Sequence, residues 1–459
     1  MAEREFDAIV LGAGAPGEVC AGRLAGGGLS VAIVESHLVG GECSYYACMP
    51  SKALLRPGEL LAEARRVPGV AAAVSGDLDP QAVLDRRDEV IHDRDDSGQL
   101  PWLEEQGVEL FRGEGRLDGE HRVVVGEQAL VARRAVVVAT GSGAAMPPID
   151  GLDSVRAWNN REATTAKRVP ESMIVLGGGP VGCELAQAWS ELGTKVTLVE
   201  AEARLLPREE PFAGEDLADA LRDTRGVDVR TGVRAQRVAE HAGAGVEVEL
   251  DSGDALVAEE LLVAIGRVPR TGEIGLDSAG VEPGERGFLE TDARLRVGGR
   301  DWLYAVGDVN GRALFTHMGK YQAWVAAENL LGRPVEAVAE DTALPRVTFT
   351  DPQVAAAGKT LAQAEEAGID ATAIDVPTDG TAGASFYGKG TGGTSRLVID
   401  RATETIIGAT FTGFETAEFL HAATIAIVGE LKLARLRHAV AAYPTRSEIW
   451  LKLIEQYER

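Results

Sequence analysis

At 459 residues the chain is too long for one ordinary core and suits several domains. Its formal net charge of −25 argues against nucleic acid and against an anionic membrane surface, because both need clustered Lys and Arg; the acid excess is read as a solubility device. Four cysteines are too few for a secreted disulfide scaffold, Met1–Glu5 does not read as a signal peptide, and no apolar run approaches a membrane span, so the expected location is the cytoplasm.

In chain order, Phe6–Leu11 reads as a short buried strand running into Gly12, Gly14 and Gly17, followed by a helical stretch and a second strand ending at Glu35. The same pattern returns at Met173–Leu176, which leads into Gly177, Gly179 and Gly182, a helix over Cys183–Leu192, and a strand ending at Glu200. In both copies the acid lies 23 positions after the first glycine. Each copy later gains an apolar strand ending in glycine, Ala135–Gly141 and Leu261–Gly266, so a whole nucleotide-binding domain is repeated. Gly143–Asp150 reads as a linker, and Trp302–Val306 as a strand running into Gly307-Asp308. After Pro334 the character changes: strands at Arg346–Phe349, Ser395–Asp400 and Ile406–Gly413 and a helix over Glu415–Gly429 suggest a separate α+β domain.

A lone GxGxxG is weak, but both examples here lie between strand and helix and are followed by an acid. The glycines let the backbone approach a pyrophosphate, the helix N-terminus favours its charge, and Glu35 and Glu200 are placed to accept from ribose hydroxyls. Two dinucleotides are therefore expected. The sharpest feature is Gly40-Gly41-Glu42-Cys43 through Cys48-Met49-Pro50-Ser51-Lys52. Zinc ligation lacks a second pair of ligands at suitable spacing, inert buried thiols are the bland alternative, and a redox disulfide is favoured. On one regular helix these two Cα atoms would lie about 8 Å apart, beyond disulfide reach, so Cys43 is expected in a non-helical lead with the helix starting near Cys48. That start would favour a thiolate at Cys48.

On these residues the chain resembles the FAD-dependent pyridine nucleotide-disulfide oxidoreductases, which include dihydrolipoamide dehydrogenase, glutathione reductase and mercuric reductase. The family's GGxCxxxxCxPSK pattern is met by Gly40–Lys52, its ATG by Ala139–Gly141, its GRxP by Gly266–Pro269, its YAxGD by Tyr304–Asp308, and its FTxPxxAxxG by Phe349–Gly358. The resemblance implies an α/β fold with two Rossmann-like three-layer domains and a C-terminal α+β dimerisation domain. The FAD-binding domain would span 1–148, completed by a central segment at 273–341; the NAD(P)-binding domain would span 149–272 and the interface domain 342–459. FAD would contact Gly12, Gly14, Gly17, Glu35, Gly41, Thr140, Gly141 and Asp308; the nicotinamide dinucleotide would contact Gly177, Gly179, Gly182, Glu200 and Gly266. Cys48 would be the thiolate nearer the flavin and Cys43 the cysteine exchanging with substrate. Lys52 and Glu184 would lie near the reactive flavin nitrogen; a solvated lysine and a solvated helix acid are the alternatives. Glu200 would repel a 2′-phosphate, favouring NAD(H) over NADP(H), although Arg204 and Arg208 lie nearby in sequence.

The pattern breaks at the C-terminus. Where the thiol-disulfide enzymes carry His-Pro-Thr-x-x-Glu, this chain has Tyr443-Pro444-Thr445-Arg446-Ser447-Glu448. Phenols titrate near ~10 and imidazoles near ~6.5, so tyrosine is the poorer acid-base group and efficient lipoamide or glutathione disulfide reduction is not expected. His438 is no convincing substitute. Glu42 and Tyr45-Tyr46 also depart from the family pattern; the tyrosines would crowd a large disulfide, stack on a planar acceptor, or pack into the core. Mercuric reductases resemble the chain in this tyrosine, but Leu451–Arg459 holds no cysteine pair for handing over an ion. The expectation is a homodimeric NAD(P)H oxidoreductase, like dihydrolipoamide dehydrogenase, without resident metal. Electrons would pass through FAD and the Cys43–Cys48 disulfide to a small disulfide, quinone or metal-ion acceptor. The alternatives are a non-turnover flavoprotein subunit of a multienzyme assembly and a mercuric-type metal reductase.

Overall fold

Strands buried on both faces favour parallel sheets flanked by helices, and the repeated apolar runs form two of them. The computed structural model describes residues 2–243 and 245–459. The chain divides into two compact units: residues up to Pro50 with Asp88–Ala145 and Arg267–Glu340, and Ser51–Arg87 with Met146–Gly266 and Asp341–Arg459.

In the first unit, parallel strands run in the order Val108–Arg112, Val31–Glu35, Ala2–Leu11, Gln128–Val138, and Leu303–Ala305 pairs parallel with the end of Gln128–Val138. Ala8 and Val10 pack into one core and Ile9 and Leu11 into another, the period-two alternation of a strand covered on both sides. Helices Ala15–Gly26 and Thr316–Leu330 close the first of these faces through Cys20, Ala21, Leu24, Ala323 and Ala327. Gly115–Leu117 and Arg122–Val125 extend the sheet antiparallel. The stretch expected to be a linker contributes a short strand, Ser142–Ala144, paired with Arg267–Pro269.

The second unit repeats the plan. Its parallel sheet runs Asp228–Thr231, Lys195–Glu200, Ser172–Leu176, Glu260–Val263. Met173 and Val175 face the core made with helices Pro180–Glu191 and Pro211–Arg225, while Ile174 and Leu176 face the antiparallel strands Ala235–Glu240, Val246–Leu250 and Ala255–Ala258. The helix expected from Cys183 starts at Pro180 instead, because proline suits a first helical turn. Beyond Asp341, a five-stranded antiparallel sheet orders Pro345–Thr348, Gln353–Gly358, Thr405–Gly413, Thr394–Asp400, Ala371–Pro377. Phe411 and Ile399 of that sheet pack with Phe419 and Leu420 of helix Thr416–Val428 and with Leu453 of helix Ile449–Tyr457. No helix among the described residues is long and apolar enough to cross a membrane.

Candidate active site

The two fingerprints fold alike. Gly12 has φ +103 and Gly177 φ +111, and a Cβ on either would lie within 2.5 Å of a backbone oxygen, Ala139 or Ala264. A Cβ on Gly17 would stand 1.9 Å from Gly12 O, and on Gly182 1.8 Å from Gly177 O, so these glycines allow the helix to meet the turn. Gly14 and Gly179 are the N-caps of their helices, neither with a side-chain capping bond, so the first-turn amides remain available to an anion. Glu35 accepts from Ala13 N and His37 N, both at 2.7 Å; Glu200 accepts from Gly178 N at 2.5 Å and Glu202 N at 2.7 Å. Each acid is thus tied back to its own glycine loop.

Around the first fingerprint, Gly40 N donates to Ala13 O at 2.8 Å, and a Cβ on Gly41 (φ +63) would meet Gly14 Cα at 2.8 Å. Thr140 Oγ1 donates to Arg270 O at 2.8 Å, Arg270 N to Gly141 O at 3.0 Å, and Gly141 has φ +72. Asp308, in the turn Gly307–Asn310, accepts from the Ser142 hydroxyl and lies 3.4 Å from Arg267 Nε. Beside the second fingerprint Gly266 has φ +148 and open space at its Cβ position. Arg204 is committed to its own loop, donating to Pro207 O and Glu209 O.

Cys43 and Cys48 are half-buried thiols joined by a hydrogen bond. Cys43 lies in a five-residue helical turn, Gly41–Tyr45, not in the non-helical lead expected for it. Left-handed Gly40 starts the turn and Tyr46 (φ −136, ψ −2) breaks it, which separates Cys43 from the helix Cys48–Arg66 and lets the sulfurs meet. That hydrogen bond to Cys48, then burial, then the Cys48 charge drive the Cys43 thiol far above the ordinary thiol range; Thr316 and Lys320 oppose the shift. Thr316 Oγ1 lies 3.5 Å from Cys48 Sγ. Tyr45 and Tyr46 are buried with Ile91, and Tyr46 OH bonds His37 Nε2 at 2.9 Å, so they pack inward. Glu42 accepts from Arg270 at 2.7 Å.

In the other unit Lys52 Nζ donates to Glu184 Oε2 at 2.7 Å, and Glu184 Oε1 accepts from Phe349 N at 2.9 Å. The ammonium also stands 4.7 Å from the Phe349 ring centroid. Glu184 is buried and is not the solvated acid that sequence left open; Lys52 is partly exposed but paired with it. Tyr443 is 78% exposed, whereas Glu448 has a buried Oε2 without a hydrogen-bond partner. Thr316, Arg270 and Ser142 were missed by sequence reasoning, since an isolated Thr, Arg or Ser carries no pattern; Arg267, within the GRxP segment, and the Phe349 segment were visible, but their contacts with Ser142 and Lys52 were not. Among the described residues no cluster of His, Cys, Asp and Glu is arranged to hold a metal ion.

This geometry defines a class: two strand–glycine turn–helix units of the dinucleotide-binding kind accompanied by a close pair of cysteines. The sequence pattern of the pyridine nucleotide-disulphide oxidoreductases matches residues 6–329, and that of their dimerisation domain residues 344–454. The chain is 30% identical over 447 residues to a mercuric reductase of Staphylococcus aureus, spanning 97% of this chain and 81% of that one. To a dihydrolipoyl dehydrogenase of Chlamydia muridarum it is 30% identical over 450 residues, spanning 97% and 95%. Among solved structures, the Cu(II) complex of the HOCl-induced flavoprotein disulfide reductase RclA from Escherichia coli matches with a TM-score of 0.87 at 25% identity, over 98% of this chain and 99% of that one. The chain belongs to the pyridine nucleotide-disulphide oxidoreductase family. It is an oxidoreductase that uses FAD and NAD(P)H.

Proposed function

We propose that the chain is a homodimeric NADH-dependent reductase whose Cys43–Cys48 pair serves a small electrophilic acceptor, a low-molecular-weight disulfide or a quinone, better than it serves lipoamide. The carrying observation is the contact between the two thiols, which the turn Gly41–Tyr45 and the helix start at Cys48 bring together, with the Cys43 thiol pushed up by its hydrogen bond to Cys48 and by burial. The first fingerprint, Gly41, Thr140, Gly141 and Asp308 take FAD; the uncapped helix start and the Gly14–Gly41 approach suit a pyrophosphate, which needs backbone amides within close reach. The second fingerprint with Glu200 and Gly266 takes the nicotinamide dinucleotide. A carboxylate held by two amides and largely buried disfavours a 2′-phosphate, which supports NADH.

FAD, when bound, relays two electrons between NAD(P)H and the cysteine pair. The remaining roles fall to the chain. Lys52, fixed by Glu184 and Phe349, holds a positive charge on the helix that Cys48 begins. Cys48 keeps the negative charge of the reduced pair, and Cys43 presents its sulfur to the acceptor. With a disulfide, one NADH and one proton yield NAD⁺ and two thiols; with a quinone they yield the quinol. Thiol exchange with a bulky disulfide needs a proton shuttle worth roughly 10²–10⁴-fold, and a phenol at Tyr443 supplies it poorly at neutral pH. The dimerisation-domain match, the exposed Tyr443 and the unsatisfied Glu448 Oε2 support a second copy at this segment.

Steady-state assay of the purified flavoprotein against lipoamide, glutathione disulfide, small quinones and Hg(II) tests this. Turnover should be highest with a small disulfide or quinone and should depend on Cys43 for the disulfide. Lipoamide turnover equal to that of a histidine-bearing dihydrolipoyl dehydrogenase would defeat the reading. Hg(II) as the best substrate would favour the activity named for the Staphylococcus aureus relative.

A further inference from the structure

Thr316 opens helix Thr316–Leu330, yet its hydroxyl makes no capping bond there, because the N-cap position belongs to Phe315. The hydroxyl turns instead to the dithiol: it lies 3.5 Å from Cys48 Sγ and also hydrogen-bonds Cys43. One side chain therefore reaches both sulfurs. Its position is fixed by packing, since a Cβ on Gly319, one turn along, would meet Pro16 Cγ at 2.5 Å and Gly307 Cα at 3.2 Å. The helix is pressed against the start of the first fingerprint helix, so Thr316 cannot drift from the cysteines without opening that contact. The first-turn amides of the same helix add partial positive charge on the side of the sulfurs.

We propose that Thr316 is a positioning residue of the dithiol, whose hydroxyl donates to the Cys48 thiolate and so keeps the charge of the reduced pair on that sulfur. This rests on the assignment of Cys43 and Cys48 as the redox pair made above. A thiolate with a fixed hydroxyl donor, a neighbouring S–H and a helix start needs less help from a histidine base. That suits a chain with Tyr443 in the histidine's place. Charged groups near the pair include Lys320 on the same helix, Glu18, which feels both Lys320 and Glu35, and the Glu42–Arg270 pair, with Glu42 next to Cys43 in sequence. The Thr316 hydroxyl is uncharged and 3.5 Å from Cys48 Sγ, so a Val/Ser comparison separates its effect from theirs.

The test compares wild type, Thr316→Val and Thr316→Ser as flavin-loaded, reduced protein under argon. The pH midpoint of the long-wavelength thiolate–flavin band and that of the ultraviolet thiolate absorbance are read in parallel. A hydrogen bond to a charged group is worth about tenfold in thiolate at a given pH, so Thr316→Val should raise both midpoints by about one pH unit, and Thr316→Ser should restore them. Equal midpoints in wild type and Thr316→Val would overturn the proposal. Absence of the long-wavelength band in wild type would instead sink the redox-pair assignment. The ultraviolet midpoints would then still decide the role of Thr316.

Discussion

Gly17 and Gly182 hold equivalent places in the two nucleotide-binding halves, each with an added Cβ less than 2 Å from the carbonyl oxygen of its first glycine. Glu35 and Glu200 likewise receive the same pair of backbone amides. The halves part at the middle glycine. Gly14 is crossed by the dithiol loop through the Gly14–Gly40 bridge and the close approach of Gly41, whereas a Cβ on Gly179 would meet nothing within 4 Å. Identical turns thus sit under different cover. A covered site keeps its ligand because the loop must move before the ligand leaves, and an open site exchanges. Under the proposed assignment of FAD to the first half, the contrast matches a resident flavin and a nicotinamide that departs after each turnover.

The sharpest way to break that contrast is to injure both halves equally. Gly17→Ala and Gly182→Ala each force a methyl group into a carbonyl, at a cost of about 3 kcal/mol or more. Gly17→Ala should purify with little flavin and a lowered Tm; Gly182→Ala should remain yellow while its KM for NADH rises at least about tenfold. If both variants lost flavin to the same degree, the halves would not hold separate ligands. A milder perturbation targets the acids. Glu200→Gln keeps shape but removes the charge opposing a 2′-phosphate, so the kcat/KM ratio of NADPH to NADH should rise about tenfold with flavin content unchanged. Glu35→Gln should leave that ratio alone and weaken flavin retention, measured by dialysis.

Much of this was legible from residues alone. Fingerprints, acids and buried strands are local patterns, and the physics of a βα turn writes them into consecutive residues. The Lys52–Glu184 pair was legible only through family resemblance, because its partners stand 132 positions apart. The helical turn around Cys43 was misjudged: left-handed glycine geometry at Gly40, which sequence does not display, lets a short helical turn and a separate helix bring the sulfurs together. Thr316 was invisible, since a lone threonine 268 residues from Cys48 has no periodicity to betray it.

The smallest expected effect concerns the residue after the third glycine, Glu18 in one half and Cys183 in the other. Glu18 is half-buried; burial pushes its carboxyl up to about 7 from 4.5, Lys320 pulls against that, and Glu35 adds to it. The folded state thus binds this proton more tightly than the unfolded chain does. Stability from it is complete below about pH 4.5, falls as pH rises towards 7, and is flat above. Discounted for solvent, the loss is about 1–2 kcal/mol at pH 8. Cys183 is fully buried, its thiol donates to Gly178 O at 3.3 Å, and burial drives its titration out of this pH range. Thermal melts of the flavin-loaded protein from pH 5 to 8 should therefore show Glu18→Gln losing less stability than wild type across that interval, while Cys183→Ser, whatever its absolute Tm, keeps the wild-type slope. Parallel slopes for wild type and Glu18→Gln would mean that the carboxyl ionises freely, and that the first fingerprint helix admits water at the position where the second keeps Cys183 fully buried.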